Sequence, residues 1–388
     1  MMSKKTTVPI TLIALLALIL PLAACGTPSA PAPTLPELPA PAYSAPGPED
    51  TQGKTGSIWN DVLDNGLRIT VFEDGVLLLE GANVEENLKN RNVFKDYIDT
   101  VKTLRLGEGV ETVGEKAFAG FDKLESVIMG DDLTEVGYSA FSGCTSLKDV
   151  KFGSSLTTIA DYAFDGCTSL KDAVLSDSVV SLGSYAFKGC TSLQDAAIGT
   201  QLSTMGNGVF DGCTAFASLR TGSNVPAYAF SGCTALSSVT LEDSVTQIGD
   251  RAFSDCTALK IVQYSPNLEL IGNFAFAKCS ALTDLSIRAC AELKLGDGAY
   301  SECGALISVN LAEGVVSLGE KVFAEDKALE KIVLPRSLKS IGYSAFYNTE
   351  ALHEIAYRGT QGEWNQITKT KQWNAGVGMS ASITYNAG

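Results

Sequence analysis

Apolar and polar positions alternate in two registers along this chain, and one of them repeats with a fixed long period. Phe118, Phe141, Phe164, Phe187 and Phe210 are each 23 residues apart. The next step, to Phe230, is 20, and Phe253 and Phe276 restore 23. Tyr300 follows after 24, then Phe323 and Phe346 at 23, which makes eleven units. A period in this range is the signature of a solenoid. One unit reads Leu236-x-x-Val239-x-Leu241-x-x-x-Val245-x-x-Ile248-Gly249-x-x-Ala252-Phe253-x-x-Cys256-x-x-Leu259. The strict alternation predicts a short strand with Val239 and Leu241 on one side and Ser238 and Thr240 on the other. Glycine after Ile248 suits a tight corner, where a side chain would crowd the backbone. No single unit encloses a core, but stacking buries every such column. Strands stacked at ~4.8 Å give a parallel sheet roughly 50 Å long over the array.

Both ends of such an array expose core and require caps. Residues 57–103 supply the first, with Leu67 to Val71 and Val76 to Leu79 reading as a hairpin across Glu73-Asp74-Gly75. Val84 to Ile98 is polar with spaced apolar residues and reads as helical. Residues 358–388 form the second cap, in which Trp364 and Trp373 either cover the last coil or make a carbohydrate-binding aromatic pair.

Ahead of the array, Lys4 and Lys5 precede an apolar run from Val8 to Leu22. The run has the length of a signal-peptide core and falls short of the roughly 20 residues that span a bilayer. Leu22-Ala23-Ala24-Cys25 resembles a bacterial lipobox, which makes 1–24 a signal peptide and Cys25 the lipid-attachment residue. Prolines alternate with Ala, Ser and Gly through 26–56. With Cys25 this stretch reads as an anchored, extended linker that cannot bury enough apolar surface to fold.

The repeat, in segments such as Ile248-Gly249-Asp250-Arg251-Ala252-Phe253 and Tyr162-Ala163-Phe164-Asp165-Gly166-Cys167-Thr168, resembles the leucine-rich repeats of BspA-like bacterial surface antigens. The resemblance covers 104–357. It implies a leucine-rich-repeat solenoid, β-rich with parallel strands and short helical turns, displayed on the cell surface for adhesion. Three places depart from the pattern. Residues 219–225 lose three positions, Tyr300 replaces phenylalanine, and the unit at Asn207-Gly208 lacks its alanine. A local irregularity in curvature is expected at 220–226.

The net charge is −15, and loss of Lys4 and Lys5 with the leader makes it more negative still. Such a chain is repelled by nucleic acid and by anionic membrane surfaces. Cys144, Cys167, Cys190, Cys213, Cys233, Cys256, Cys279 and Cys303 each follow the repeat aromatic by three residues. Stacked equivalents have parallel side-chain vectors, which disfavours disulfides, and a lone histidine without CxxC pairs disfavours zinc. They read as small buried hydrophobes. His353, the only histidine, falls at the end of the array and leaves no base for serine or cysteine hydrolysis. No catalytic set appears.

Candidate binding residues lie on outward columns. Asp149, Asp172 and Asp195 occupy consecutive units about 5 Å apart, a repulsive row unless a cation or basic partner sits there. Lys148 and Lys171 adjoin them in sequence. The alternatives are a solvated polar face and a site for Ca²⁺ or a basic peptide. Tyr162, Tyr185 and Tyr228, with Phe274, each precede the repeat aromatic by two residues and predict a row on one flank. Tyrosine rows suit protein interfaces, and packing between repeats is the alternative.

Three functional readings follow. One is a lipoprotein on the extracellular face of the cell envelope that binds a protein or glycan, touching the membrane through its anchor alone. The others are a passive envelope protein and, resting only on paired carboxylates, a polymer hydrolase.

Overall fold

The computed structural model describes residues 56–85, 97–197, 201–287, 292–377 and 381–387. The leader, lipobox and linker readings lie outside these residues, as do Cys290 and most of the helix expected over 84–98. At the margins of that segment Val84 forms a parallel bridge with Val113, and Ile98–Thr100 is a short 3-10 turn.

The chain enters through three strands, β1 (Ser57–Val62), β2 (Arg68–Phe72) and β3 (Val76–Glu80). β1 pairs antiparallel with β2, and β2 antiparallel with β3 as the hairpin pattern requires. β3 then runs parallel to β4 (Thr103–Leu106), the first strand of the repeats. From there the same short strand recurs once per unit. Its alternation is the one read from sequence, Val239 and Leu241 buried and Ser238 and Thr240 partly exposed. A second ladder of two-residue strands runs along a flank, for example Thr158–Ile159, Ser181–Leu182 and Thr204–Met205 in register. The remainder of each unit is turn, so the short helical turns expected from the family are absent among the described residues of the repeats.

The aromatic column forms the core. From Phe118 through Tyr300 to Phe346 successive rings stack at 5.1–5.9 Å with interplanar angles of 4–19°. Phe121 closes one end edge-on against Phe118 at 5.5 Å, and Trp373 closes the other edge-on against Phe346 at 6.0 Å. Trp364 is buried and packs on both Trp373 and Tyr357. The tryptophans cover the last coil, and Trp364 has no free face for a sugar.

Beside the rings runs the cysteine column. Each of the eight thiols is buried and donates to the carbonyl of the aromatic residue in the preceding unit, at 3.2–3.3 Å. Burial pushes the Cys167, Cys190 and Cys213 thiols well up, and the Cys233 thiol to about 12. Thiolate, the nucleophilic and metal-binding form, is thereby suppressed.

Tyr300 is explained by a partner. The hydroxyls of Tyr264 and Tyr300 lie 2.9 Å apart inside the core. Tyr264, just past the strand Ile261–Gln263, falls in the column held by Leu241 and Leu311 in nearby units. A buried hydroxyl needs a hydrogen bond, and the two substitutions supply one to each other.

The shortened unit behaves differently on its two ladders. Ser218–Thr221 pairs in full register with Ser238–Leu241. The flank ladder is interrupted, with Val225 making only an isolated bridge to Ile248. Three residues are thus lost in the connection between the ladders, and Ser218–Thr221 keeps full register with the unit that follows while starting a separate sheet from Asp195–Ala197.

Candidate functional site

Stacking imposes two left-handed backbone positions on every unit. The first holds Lys116, Ser139, Tyr162, Tyr185, Gly208, Tyr228, Arg251, Phe274, Gly298, Lys321 and Ser344, at φ 49–61°. Bulky residues are rare there because Cβ crowds the carbonyl. Three tyrosines and a phenylalanine nevertheless occupy it, and their rings lie along the flank.

The expected single row is two. In the first, Tyr138 meets Tyr162 edge-on at 5.9 Å, and Tyr162 stacks on Tyr185 at 5.1 Å and 19°. The row stops at Gly208, where a Cβ would come within 2.2 Å of the Tyr185 ring. In the second, Tyr228 precedes Arg251, whose guanidinium lies 4.7 Å from the Phe274 ring centre. This row stops in the same way at Gly298, where a Cβ would meet the Phe274 ring at 2.4 Å. The glycine that stood out in the Asn207-Gly208 unit therefore makes room for a ring from the unit before it.

Charges gather around the first row. Lys116 lies 5.1 Å from the centre of the Tyr138 ring and Lys188 5.2 Å from that of Tyr185. Asp165 and Asp211 flank Lys188 at the equivalent positions of the units before and after it. Partial burial raises both carboxyls, against the opposing pull of Lys188 and of hydrogen bonds from Ser142 and Ser231 respectively. Sequence reading did not single out Asp165, Lys188 and Asp211. The signal was available in the column one residue after the repeat aromatic, which reads Asp, Lys, Asp at 165, 188 and 211 and is otherwise Ala or Ser except for Tyr347 in the last unit.

The aspartate column is less coherent than its spacing suggested. Asp172 and Asp195 are register partners in a two-strand parallel pair. Asp149 belongs to the sheet that begins at β1 and ends with its own strand. All three are exposed. Lys148 does not serve Asp149, since its ammonium pairs with Glu125 of the preceding unit at 2.7 Å. Among the described residues no three His, Cys, Asp or Glu side chains converge to hold a metal ion. The Ca²⁺ reading therefore finds no cage at Asp149, Asp172 and Asp195. His353 is exposed, its Nδ1 lying 3.1 Å from the Ala351 carbonyl oxygen.

A stack of parallel strands with a buried aromatic and thiol column, and chemistry confined to outward columns, defines a repeat solenoid. The family model of the BspA type leucine rich repeat region (6 copies) matches residues 90–217 and 223–353, and the chain belongs to this family. A leucine-rich repeat protein from Eubacterium ventriosum has the same fold at 21% identity and a TM-score of 0.52, over 84% of this chain and 96% of that one. One from Bacteroides ovatus is 20% identical with a TM-score of 0.48, over 84% and 100%. The pneumococcal vaccine antigen PcpA is 17% identical with a TM-score of 0.48, over 86% and 100%. No curated protein matches the chain.

Proposed function

We propose that this protein is a lipoprotein of the bacterial cell surface, anchored through Cys25, whose repeat array holds an extracellular protein partner and carries out no catalysis. The chain then divides into a signal peptide (1–24), an anchored linker (25–56), caps (57–103 and 358–388) and the repeat array (104–357). The linker would set the array away from the membrane, and membrane contact would be limited to the acyl chains. The observation that carries the binding reading is the flank row. Tyr162, Tyr185 and Tyr228 sit in left-handed backbone that disfavours them, and Tyr138 and Tyr228 are 42% and 39% exposed. Aromatic rings gathered in a row on an exposed flank suit a protein interface. Tyr162 and Tyr185 turn their faces to one another, so edges and hydroxyls remain for a partner. That favours a protein over a sugar ring, which stacks on faces. Membership of the BspA-type leucine-rich-repeat family accords with the location.

The test screens the protein against arrayed matrix proteins and glycans. Changing Tyr162 and Tyr185 together to Ala should abolish a saturable protein hit, whereas changing Asp149, Asp172 and Asp195 to Ala should weaken only a basic ligand. A hit that survives the tyrosine changes sinks the flank as the binding surface. Incorporation of labelled palmitate, lost on Cys25→Ser, tests the anchor.

A further inference from the structure

The flank ladder starts twice. Along it, two consecutive N–H groups share one carbonyl of the unit before. Thr157 and Thr158 share that of Thr134, and Glu269 and Leu270 share that of Thr246. At the first rung a side chain takes the carbonyl's place, and Asn83 Oδ1 accepts from Glu111 and Thr112 N–H at 2.9 and 3.0 Å. Buried Val84 then donates to the Thr112 carbonyl and accepts from Gly114 N–H. In mid-array Asn224 Oδ1 accepts from Thr246 and Gln247 N–H at 2.8 and 3.0 Å. Buried Val225 donates to the Gln247 carbonyl and accepts from Gly249 N–H. Each valine makes an isolated bridge to the unit that follows. Asn224-Val225 thus rebuilds, bond for bond, the start made by Asn83-Val84.

The rung before this second start is left unfinished. In one series the corner N–H of each unit donates to an inward carbonyl of the unit before, from Gly137 to Val113 up to Gly206 to Leu182. The series resumes with Gly249 to Val225 and continues to Gly342 to Leu318. Pro226 stands at the gap and has no N–H to give the Met205 carbonyl. Thr204–Met205 is accordingly the last strand of its sheet.

The strand face changes sheet at the same step, between Asp195–Ala197 and Ser218–Thr221. Its other changes, after Lys151 and after Gln263, are spanned on the flank by the Ser181–Thr158 and Leu270–Lys294 pairings. Among the described residues, the step from Met205 to Val225 is the single one that lacks both ladders. Its hydrogen bonds gather on the aromatic side. Gly208 and Phe210 N–H donate to the Ala227 and Ala229 carbonyls at 2.8 Å, and the Cys233 thiol donates to the Phe210 carbonyl at 3.3 Å. The rings of Phe210 and Phe230 remain stacked at 5.3 Å.

We infer that the repeats form two arrays in tandem, Phe118 to Phe210 and Phe230 to Phe346, joined by a hinge at which each opens without the other. Buried or paired backbone groups resist opening wherever a ladder must be broken. Here no ladder bond is lost, and Asn224 already completes the first rung of the second array. The aromatic column is the pivot. The Tyr138–Tyr185 row belongs to the first array and the Tyr228–Phe274 row to the second, so bending carries them as separate bodies. This division is independent of what the flank binds.

Pulsed alkylation of the full chain through a urea series tests it. The eight repeat thiols are buried and report one unit each, Cys144 to Cys213 in the first array and Cys233 to Cys303 in the second. Peptide mass mapping reads them separately from Cys25 and Cys290. Asn224→Ala should lower the labelling midpoint of the second group by about 0.5 M urea and leave the first group in place, and Asn83→Ala should do the reverse. Either variant moving all eight thiols together overturns the inference. Pro226→Gly returns the missing N–H, and in that background Asn83→Ala should shift both groups. A first group that still moves alone there overturns the assignment of the hinge to Pro226.

Discussion

The first six units and the last five reach the same backbone with different residues. At the second left-handed position the first six place Gly120, Gly143, Gly166, Gly189, Gly212 and Gly232, at φ 67–74°. The last five place Asp255, Lys278, Glu302, Glu325 and Asn348 at φ 60–67°. The cysteine column continues past the change at Cys256, Cys279 and Cys303, and then ends in Asp326 and Thr349. The comparison teaches that stacking dictates the turn and the residue merely tolerates it. Inter-unit hydrogen bonds such as Phe164 N–H to the Ala186 carbonyl and Phe276 N–H to the Ala299 carbonyl are the same in both halves. A left-handed cost of about 1–2 kcal/mol per residue is small beside the burial of a whole unit.

The corner glycine is another matter, and it gives the largest predicted effect. At Gly183 a Cβ would lie 2.3 Å from Asp161 N, and at Gly249 2.5 Å from Ala227 N. Gly183→Ala and Gly249→Ala should each destabilise by roughly 3 kcal/mol, read from urea unfolding followed by circular dichroism. A large difference between the two would break the claim that the halves share one backbone.

Asp326, in the second half, comes next. It is fully buried, Oδ1 accepts from Cys303 N–H at 2.7 Å, and Oδ2 has no hydrogen-bond partner. Burial holds its carboxyl well above the usual range. An acid whose value is raised by folding contributes fully below the unfolded value near ~3.9 and loses that contribution as pH rises towards the folded one. Asp326→Asn should therefore be more stable than the parent at pH 8, with the gain shrinking to nothing near pH 3. A gain that does not vary with pH would assign the effect to packing instead.

The tyrosine pair follows. Tyr264→Phe and Tyr300→Phe should each cost about 1–2 kcal/mol by orphaning the remaining hydroxyl. The double change should be nearly neutral, and additive losses in a double-mutant cycle would refute the coupling.

The smallest effects distinguish the halves most directly. A Cβ at Gly166 meets its nearest neighbour only at 3.9 Å, so only the backbone resists. Gly166→Ala should cost about 1 kcal/mol, and Glu302→Gly should gain about 0.5 kcal/mol. Equal signs would mean that the two turns are not equivalent.

The aromatic and cysteine columns were legible in the sequence because burial is periodic and a period survives without coordinates. The strand alternation, the crowded corner at Gly249 and the fold family followed from the same signal. The reason for Tyr300 was not legible, since its partner Tyr264 lies 36 residues away in sequence and meets it only when the units stack. Likewise the tyrosine flank was visible as a spacing, but its division into two rows was not. That division depends on Gly208 and Gly298 lying beneath the rings of the preceding units, which is a contact across the stack.

The sequence alone determined the unit, its number and which side of each strand is buried, because one-dimensional repetition leaves apolar columns no other way to leave water. The stack decided the rest. Lys148 pairs with Glu125 rather than beside Asp149, the three aspartates fall in two sheets, and left-handed turns are filled by whichever residue stands there. These outcomes depend on the distance between neighbouring units, and a period in sequence fixes which residues are equivalent without fixing what each one meets.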